Sequence, residues 1–463
     1  MTPFWRLEHP ADRIALVQQN GAYDSVKMTY GELRDYVAVV RNQLSLLPGK
    51  RVGFVFCRNS IETIVVYLAA LQAKHAVLLL DSELASYLIG AMIEKYQPDW
   101  VFSAEAMKGY EPVQEVRGLQ VCSDPSRRDL FPELGVLLST SGTTGSPRLV
   151  RLSYTNISSN AQSIAEFLNL SADEKPITTL PLAYSYGLSV INSHLLVGSS
   201  ILLTDLSLTQ RAFWDFFSAC GATSLAGVPY TYEILLRTRM LRQKLPSLRT
   251  ITQAGGRLDS KLIEQVNALS REHSWRFFVM YGQTEATARI SYVPSDRLAE
   301  KIGSIGVVIP GGSLFLDQEN GELLYRGPNV MLGYAESSLD LEKGDELKGE
   351  LRTGDLARQD EDGFFYITGR MKRFLKIFGQ RISLDQIEEI LLHAVNIRAV
   401  CFGSDDKLMI AIEEKENIEK ISHTIRDVIK LHPSAFVVTI VERIPRLTNG
   451  KIDYVALAKT IVN

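Results

Sequence analysis

The chain has 463 residues, of which 46% are hydrophobic, with 50 basic and 53 acidic side chains and a net charge of -3. This length suggests two to four domains, and the apolar fraction excludes a disordered chain. The near balance of charge excludes a strong basic field for nucleic acid or an anionic membrane. Four cysteines lie far apart in the sequence, which excludes a cysteine zinc cluster and argues against a disulfide scaffold.

The sequence contains no segment typical of membrane insertion or export. The first residues lack both a basic start and an apolar run, so we expect no signal peptide. The apolar region at 61–80 is interrupted by Glu62, Gln72, Lys74 and His75, so we do not expect it to span a bilayer. We therefore expect a cytoplasmic protein with no nucleic-acid or membrane partner.

An alternation of strand and helix patterns begins near residue 52. Residues 52–56 read as a buried strand, and Asn59 is expected to cap a helix, with Glu62 completing a capping box. Apolar residues from Ile61 onward recur with helical spacing. The continuous apolar run at 76–80 is typical of a strand that is covered on both faces. Together these segments predict a βαβ unit.

The same pattern continues along the chain. Further strands are predicted at residues 101–102, 136–138, 177–180, 201–203, 251–252 and 277–280. Segments long enough for helices separate most of them, for example residues 260–273. We therefore predict a large α/β body with parallel sheets.

The pattern changes in the last third of the chain. Residues 303–369 are rich in glycine and short alternating runs, such as 322–325 and 364–367, and predict a small antiparallel β section. Beyond them a helix near 384–393 and strands at 399–402 and 437–440 predict a smaller α+β domain. We expect an N-terminal domain of residues 1–369 and a C-terminal domain of residues 370–463.

A Ser/Thr/Gly loop directly after the predicted strand at 136–138 is the strongest local chemical signal. Glycines let a loop wrap closely round a ligand, and hydroxyl and backbone N–H groups can hold a polyphosphate. No lysine follows Gly145, so the loop is not a Walker A motif. A flexible surface loop is the alternative. The residues expected to bind phosphates are Thr140, Ser141, Gly142, Thr143, Thr144, Gly145 and Arg148.

Further motifs follow this loop in a fixed order. They are YGQTE at 281–285, then GEL at 321–323 with GP at 327–328 and GY at 333–334, RTGD at 352–355, GRMK at 369–372 and NGKID at 449–453. In this order the motifs resemble those of the adenylate-forming ligases, a superfamily that includes acyl-CoA synthetases, adenylation domains of peptide synthetases and beetle luciferase. The resemblance covers residues 139–453, about two-thirds of the chain. It implies that ATP and Mg²⁺ are used to activate a carboxylic acid.

The resemblance also implies roles for single residues. Glu285, a carboxylate expected at the end of an apolar strand, would bind Mg²⁺, which prefers oxygen ligands, and Thr284 would bind a phosphate. Asp355 would accept hydrogen bonds from the ribose hydroxyls, and Arg370 would reach the ribose or a phosphate. Lys451 would contact both the substrate carboxylate and the nucleotide. Taken singly, these residues would be read as a helix cap, a turn or solvated charges.

A hinge and a second catalytic loop are implied by the same comparison. Lys372 aligns with the position about which the C-terminal domain turns between adenylation and thioester formation. Lys376 and residues 379–382 match the loop that enters the site in the second arrangement, so Lys376 is a catalytic candidate. A basic, solvated linker is the alternative.

The sequence departs from the family pattern at three positions. Ser146 and Leu149 stand where lysine and glycine are common, and Val279 stands where an asparagine often contacts adenine. We therefore expect recognition of the base to depend on the backbone of a short turn. The residues expected around the nucleotide here are Ala254, Gly255, Gly256, Tyr281 and Gly282.

The acyl pocket is expected at Tyr184, Ser185, Tyr186 and Val228. Adenylation domains for amino acids carry an aspartate about where Ser185 falls, and a buried ammonium without such a partner would be costly. An α-amino acid is therefore not expected as substrate. The two tyrosines suit an apolar acyl or aryl acid, with ordinary core packing as the alternative. His194, farther along, is expected to be structural.

We therefore predict an AMP-forming ligase that converts a carboxylic acid and ATP to an acyl-adenylate and pyrophosphate. The acyl group would then pass to the thiol of coenzyme A or of the phosphopantetheine arm of a separate acyl carrier protein, because only twelve residues follow Lys451. The alternative is a non-catalytic nucleotide-binding member of the same fold, which Ser146, Leu149 and Val279 would favour. No motif supports a luciferase-like oxygenase.

Overall fold

The structure is a computed structural model, and it describes residues 2–21, 24–124, 128–139, 148–371, 373–377, 380–404, 407–413, 417–429, 431–447 and 450–462. The chain forms two compact units. The first comprises Met1–Ser313 and Tyr325–Leu351, and the second comprises Leu314–Leu324 and Arg352–Asn463. This division groups residues 352–369 with the C-terminal residues. The domain boundary expected between residues 369 and 370 stays a prediction.

The helices and strands have the following bounds. The α-helices are α1 (Tyr30–Leu44), α2 (Ile61–Gln72), α3 (Ser86–Tyr96), α4 (Tyr154–Phe167), α5 (Ser185–Leu196), α6 (Arg211–Cys220), α7 (Pro229–Arg237), α8 (Ser260–Glu272), α9 (Leu384–Val395), α10 (Ile418–Asp427) and α11 (Tyr454–Val462). The strands are β1 (Ile14–Asn20), β2 (Asp24–Thr29), β3 (Val52–Cys57), β4 (Ala76–Asp81), β5 (Trp100–Phe102), β6 (Tyr110–Pro112), β7 (Leu119–Cys122), β8 (Leu134–Ser139), β9 (Leu149–Ser153), β10 (Pro176–Ile177), β11 (Ile201–Leu203), β12 (Ser224–Gly227), β13 (Thr250–Gln253), β14 (Arg276–Tyr281), β15 (Ser291–Val293), β16 (Val307–Val308), β17 (Ser313–Leu316), β18 (Glu322–Arg326), β19 (Gly333–Ala335), β20 (Glu350–Gln359), β21 (Phe365–Arg370), β22 (Phe374–Ile377), β23 (Gln380–Ser383), β24 (Val400–Ser404), β25 (Lys407–Ile412) and β26 (Phe436–Ile440).

Two large sheets dominate the first unit. One has the order β16-β15-β14-β13-β12-β10-β11-β1-β2 and is parallel from β14 to β1. The other has the order β19-β9-β8-β4-β3-β5-β7-β6 and is parallel from β8 to β5. Side chains from both sheets share one buried core with α1, α2, α4 and α5. The parallel central strands are buried on both faces, which explains their continuous apolar runs.

The second unit is smaller and mixed. It contains most residues of the sheet of order β17-β18-β20-β21, the hairpin β22–β23, and a three-stranded sheet of order β24-β25-β26. An apolar core joins this last sheet to α9 and α10. The predicted fold class is therefore confirmed: a large α/β part with parallel sheets, a small β section and a smaller α+β part. Within the described ranges, no helix has the length and apolar character that crossing a bilayer requires.

Two local predictions were wrong. Helix α2 is capped by Ser60, whose hydroxyl accepts from the Thr63 N–H, and not by Asn59. Asn59 instead bonds through its backbone N–H and its amide to Asp205 and the Thr204 carbonyl.

The strand predicted at 177–180 ends at Ile177. The Thr178 N–H still donates to the Leu202 carbonyl at 2.9 Å, but the hydroxyls of Thr178 and Thr179 donate to the backbone carbonyls of Thr204 and Ala226. The chain thereby leaves the sheet and turns towards α5.

Candidate active site

The carboxyl ends of adjacent parallel strands bring most of the predicted site residues of the first unit to one edge. Strands β14, β13, β12 and β10 are neighbours in that order. The residues that follow them are those predicted for the nucleotide and the acyl pocket: 281–285, 254–256, 228 and 184–186. Open α/β sheets bind ligands at this edge, because the loops after the strands leave a crevice there.

Tyr184, Val228 and Gly255 lie against one another at this edge. Gly255 has φ +84°, and a Cβ added to it would lie 2.4 Å from the Tyr184 hydroxyl oxygen and 3.2 Å from Val228 Cγ1. Only glycine fits this backbone conformation without strain and leaves room for both side chains. The turn is held by its own bonds, from the Ala254 N–H to the Gly227 carbonyl at 3.2 Å and from the Gln253 amide to the Gly256 carbonyl at 2.8 Å.

The two predicted pocket tyrosines are neighbours with different surroundings. Their ring centroids lie 6.3 Å apart at an interplanar angle of 64°. The Tyr186 hydroxyl donates to the Thr252 carbonyl oxygen at 2.8 Å, so this phenol is anchored in the core. Burial raises the pKa of Tyr184 to about 12 and also raises the pKa of Tyr186, in both cases opposed by Arg289. Both phenols are therefore neutral at physiological pH.

Ser185 and Thr284 meet although 99 residues separate them. Their hydroxyl oxygens lie 3.2 Å apart. Ser185 begins α5, and Thr284 begins a 3-10 turn, Thr284–Ala286, after β14. This contact joins the predicted acyl pocket to the predicted phosphate residue.

Glu285 is held by a phenol from a different strand. The Tyr334 hydroxyl, on β19, donates to Glu285 Oε1 at 2.8 Å. The Arg148 guanidinium carbon lies 3.7 Å from the centroid of the Tyr334 ring, a cation–π contact. Burial and the nearby Glu285 carboxylate raise the pKa of Tyr334, which keeps it a hydrogen-bond donor. A carboxylate, a phenol and a guanidinium thus form one connected group.

The backbone after Glu285 is strained and braced. Thr287 has φ +65° and ψ -58°, and the Ala288 N–H donates to the Ala286 carbonyl at 2.7 Å, which together define a γ-turn centred on a β-branched residue. The Asn329 amide donates to the carbonyls of Ala286 and Arg289 at 2.8 and 3.0 Å. Buried amide bonds of this kind hold the strained turn in place.

Gly282, directly after β14, allows the γ-turn at Thr287 to pack against the end of that strand. A Cβ on Gly282 would lie 1.9 Å from the Ala288 carbonyl oxygen, so only glycine fits. The Tyr281 hydroxyl accepts from the Gln283 amide at 3.1 Å. Gly282 thus lets the YGQTE segment lie close to the Ala288 carbonyl, and the Ile290 N–H donates to the Tyr281 carbonyl at 2.9 Å.

The second unit carries the two residues predicted to bind ribose. Arg370 Nε lies 2.9 Å from Asp355 Oδ1, across the paired strands β21 and β20. Asp355 is 3% exposed, whereas the Arg370 side chain is 60% exposed. The structure therefore brings these two residues together, with the carboxylate oriented by a neighbouring guanidinium. Arg352 of the same motif pairs instead with Asp317 and Glu322.

Lys451 lies at the end of a tight turn in the second unit. The Leu447 N–H donates to the Lys451 carbonyl and the Gly450 N–H donates to the Leu447 carbonyl, both at 2.8 Å. Arg446 and Ile452 form a β-bridge that closes this turn. Lys451 therefore lies between two backbone contacts, its own carbonyl bonded to Leu447 and its neighbour Ile452 paired with Arg446.

Several predicted residues lie outside the described residues. They are Thr140, Ser141, Gly142, Thr143, Thr144 and Gly145 of the phosphate loop, and the hinge candidate Lys372. The loop starts from Ser139, which is paired with Leu149 across β8 and β9. The backbone of Lys376 lies in β22, paired with Arg381, and its side chain is not among those described.

The residues present fit Mg²⁺ bound together with ATP. Within the described residues, no group of three or more His, Cys, Asp or Glu side chains is arranged to hold a metal alone. Mg²⁺ is commonly held by one or two carboxylates together with substrate phosphates. Glu285 supplies such a carboxylate, with Oε1 oriented by Tyr334.

Three residues of this region were not assigned a role from the sequence. Tyr334 belongs to the Gly-Tyr motif, which predicts no contact for its hydroxyl, and Asn329 and Arg289 belong to none of the motifs. The one available signal was a charged residue, Arg289, within the otherwise uncharged run at 286–290. Contacts over such long sequence separations leave no local pattern.

Comparison with known proteins identifies a family and a fold. Residues 4–335 match the AMP-binding enzyme family. A probable CoA ligase of Humulus lupulus is 30% identical over 360 residues, which are 72% of this chain and 66% of that protein. A 2-succinylbenzoate–CoA ligase of Bacillus cereus is 28% identical over 402 residues, which are 82% and 81% of the two chains. An oxalate–CoA ligase of Arabidopsis thaliana is 24% identical over 92% of both chains.

Solved structures show the same fold. The o-succinylbenzoate CoA synthetase of Bacillus subtilis, in complex with its acyl-adenylate intermediate, aligns with a TM-score of 0.77 at 20% identity, over 98% of this chain and 97% of that one. The same enzyme has been solved with ATP and a magnesium ion, with a TM-score of 0.76 at 20% identity and 98% coverage of both chains. ATP-bound MatB from Rhodopseudomonas palustris has a TM-score of 0.76 at 22% identity, over 99% and 98% of the two chains.

Proposed function

The chain belongs to the AMP-binding enzyme family, and from this premise we propose that it is an AMP-forming ligase that joins a carboxylic acid to coenzyme A. The single observation that carries the proposal is the convergence of Ser185, Thr284, Glu285 and Tyr334 at the carboxyl edge of the parallel strands. The curated relatives are CoA ligases by name and support coenzyme A as the thiol. Nothing in them supports a carrier protein.

The first half-reaction forms an acyl-adenylate. A carboxylate oxygen of the acid attacks the α-phosphorus of ATP, and the bond from that phosphorus to pyrophosphate breaks. Thr284 and Arg148 hold phosphate oxygens, and Glu285 binds Mg²⁺, which neutralises charge on the phosphates. Lys451 supplies a cation where two anions must approach each other.

The second half-reaction forms the thioester. The coenzyme A thiol, on losing its proton, attacks the acyl carbon, and the bond from that carbon to the AMP oxygen breaks. Asp355 and Arg370 hold the ribose of the nucleotide through both steps. We place the turning of the C-terminal part, about Lys372, between the two half-reactions, with Lys376 entering in the second.

The acid is proposed to be acyl or aryl and not an α-amino acid. Tyr184, Val228 and Tyr186 offer apolar and aromatic surface, and Ser185 offers a hydroxyl where an ammonium would need a carboxylate. The curated relatives act on different acids by name: 2-succinylbenzoate, oxalate and indoleacetate. Four free cysteines fit a reducing compartment, so we propose a cytoplasmic location.

Pyrophosphate release that depends on a carboxylic acid tests the proposal. The purified protein is incubated with ATP and Mg²⁺ and with aliphatic, aryl and amino acids in turn, with and without coenzyme A. We expect release with one class of acid and thioester formation only when coenzyme A is present. Release without thioester formation would redirect the search to another thiol. Bound ATP with no release from any acid would favour the non-catalytic alternative.

A further inference from the structure

Arg289 is a buried arginine beside the proposed acyl pocket. It is 2% exposed and follows the strained turn after Glu285. Its guanidinium carbon lies 3.8 Å from the centroid of the Tyr186 ring. Its Nε lies 3.4 Å from Met280 Sδ, and its Nη1 lies 3.5 Å from the Ala288 carbonyl oxygen. These contacts are a ring face, a thioether and one long bond to a carbonyl, together with an interaction with the Tyr186 hydroxyl.

No aspartate or glutamate in the described ranges forms an ion pair with Arg289. Burial lowers the pKa of Arg289, opposed by the phenols of Tyr186 and Tyr184, but a guanidinium in a protein stays protonated. A buried charge without an opposite charge is costly, so such a charge is normally paired.

Arg151 shows how the same unit treats a buried arginine that has a structural role. Its side chain is fully buried, and it pairs with the Glu346 carboxylate. It also donates to the Tyr334 and Leu332 carbonyls at 3.2 and 3.4 Å. Arg151 therefore has a carboxylate and several carbonyls, whereas Arg289 has an aromatic face and no carboxylate. The difference indicates that none of the described carboxylates is the partner of Arg289, and that a bound ligand can supply the opposite charge.

Two side-chain amides bond to the backbone of Arg289. Its carbonyl oxygen accepts from the amides of Asn160 and Asn329, at 3.2 and 3.0 Å. The surrounding apolar cluster includes Tyr186, Val228, Ala254 and Met280, with Tyr184 packed against it. Two amides thus hold the backbone of Arg289 beside the apolar cluster that contains the proposed pocket residues Tyr186 and Val228.

We propose that Arg289 binds a second carboxylate of the substrate, so that the acid is a dicarboxylic acid with an apolar or aromatic body. This inference rests on the proposed function. One carboxylate is adenylated beside Thr284 and Glu285, and the other forms a paired hydrogen-bonded contact with the planar guanidinium. The apolar walls exclude water and strengthen this contact. Arg289 is then a specificity-determining residue.

Matched acids test the proposal in the wild-type protein. In each pair the two acids have one carbon skeleton, and a methyl group of the monocarboxylic acid is a carboxylate in its partner: hexanoate against adipate, and 3-(2-methylphenyl)propanoate against its ortho-carboxylated analogue, 3-(2-carboxyphenyl)propanoate. The measurement is kcat/KM for pyrophosphate release. We expect the dicarboxylic acid to be favoured about 100-fold in the pair that fits the pocket, because a desolvated charge pair contributes on this scale. A preference for the monocarboxylic acids would overturn the proposal.

Variants identify the residue responsible. Arg289→Met keeps a side chain of similar length without the charge, and it should lose about 100-fold in kcat/KM on the dicarboxylic acid while keeping monocarboxylic activity. Arg289→Lys keeps the charge without the planar fork and should lie between the two. Arg276→Met is the matched control, because Arg276 also lies over an aromatic ring, 5.9 Å from that of Phe278, but bonds to the Leu168 carbonyl and Thr250. It should leave the ratio unchanged.

The remaining outcomes are also decisive. Equal loss on both acids in Arg289→Met and Arg289→Lys would indicate a purely structural role and overturn the inference. If no acid supports pyrophosphate release, the proposed function fails. Binding of the dicarboxylic acids, measured by the unfolding temperature, then tests the inference about Arg289. Adipate or the ortho-carboxylated acid should raise the unfolding temperature of wild type but not of Arg289→Met. No rise in wild type would overturn it.

Discussion

The Tyr334 hydroxyl donates to Glu285 Oε1 at 2.8 Å, across 49 residues of sequence. Strand β19, which carries Tyr334, pairs with β9 directly after the phosphate loop. The proposed metal carboxylate is therefore oriented by the strand that borders the proposed phosphate site. The hydrogen bond from Tyr334 thus links Glu285 to a strand that is distant in sequence.

Removing that bond should weaken adenylation. In Tyr334→Phe the Glu285 carboxylate loses its oriented donor, and we expect kcat for pyrophosphate release to fall about 10-fold, the effect of one hydrogen bond to a charged group. The concentration of Mg²⁺ required for half-maximal rate should rise. Tyr96→Phe is the control, because the Tyr96 hydroxyl donates to the carbonyl of the neighbouring residue Ala335 and does not touch Glu285. An unchanged Mg²⁺ dependence in Tyr334→Phe would contradict the assignment.

Lys451 should be needed for chemistry and not for nucleotide affinity. We expect Lys451→Ala to lower the rate of acid-dependent pyrophosphate release at least about 100-fold, since one group that stabilises transition-state charge contributes on this scale. ATP affinity, measured by calorimetry, should change little. Lys459→Ala removes an exposed lysine of α11 and should retain full activity. Equal activity of the two variants would exclude the assigned role.

Asn329 should be important for stability because it braces the γ-turn at Thr287. Its amide donates to two carbonyls, and its oxygen accepts from the Tyr325 hydroxyl at 2.6 Å. In Asn329→Ala these buried groups lose their partner, so we expect the free energy of unfolding to fall by about 3 kcal/mol. Urea unfolding measures this change. Asn42→Ala, at an exposed position of α1, should change it by less than about 0.5 kcal/mol.

His194 should make the protein sensitive to acid. It is buried, which lowers its pKa from 6.5 to about 4, and its Nδ1 lies 2.8 Å from the Val190 carbonyl oxygen. The unfolded chain therefore binds a proton between pH 6.5 and 4 that the folded chain does not, and stability falls as the pH falls through this range. The contribution is up to about 3 kcal/mol.

Replacing His194 should remove its contribution to the loss of stability at acidic pH. We expect His194→Leu to lose less stability than wild type between pH 6.5 and 4, the two pKa values of His194 in the unfolded and folded chain. Denaturant unfolding at a series of pH values measures this difference. His423→Gln, at an exposed histidine of α10, should follow wild type. A slope in His194→Leu equal to that of wild type would contradict the assignment.

The turn at Gly255 should tolerate no side chain. Gly255→Ala combines backbone strain at φ +84° with a Cβ 2.4 Å from the Tyr184 hydroxyl, so we expect it to lose stability and acid-dependent activity. Gly311→Ala separates the two effects, because Gly311 has φ +82° and nothing within 4 Å of the added Cβ. It should lose stability through backbone strain alone, about 1 kcal/mol. Thermal unfolding measures the loss of stability, and pyrophosphate release measures the loss of activity. Equal losses in Gly255→Ala and Gly311→Ala would exclude an effect of the contact with Tyr184.

The sequence by itself determined the fold class and the family. Strand and helix periods, and motifs such as YGQTE, depend on neighbouring residues, and the six motifs occur in the family's order. Both were confirmed by the structure and the comparisons. The strand at 201–203 has the predicted bounds, and most other predicted strands are correct to within two residues at each end.

Only the tertiary structure decided how charged and polar groups are partnered. Arg151 and Arg289 are both buried arginines, yet one has a carboxylate from a distant strand and the other has an aromatic face. The cap of α2 at Ser60 and the bond from Tyr334 to Glu285 are of the same kind. These partners depend on how segments that are distant in sequence pack together. Packing decides which polar groups lose water and which hydrogen bonds they can form in return. A local pattern does not contain that information.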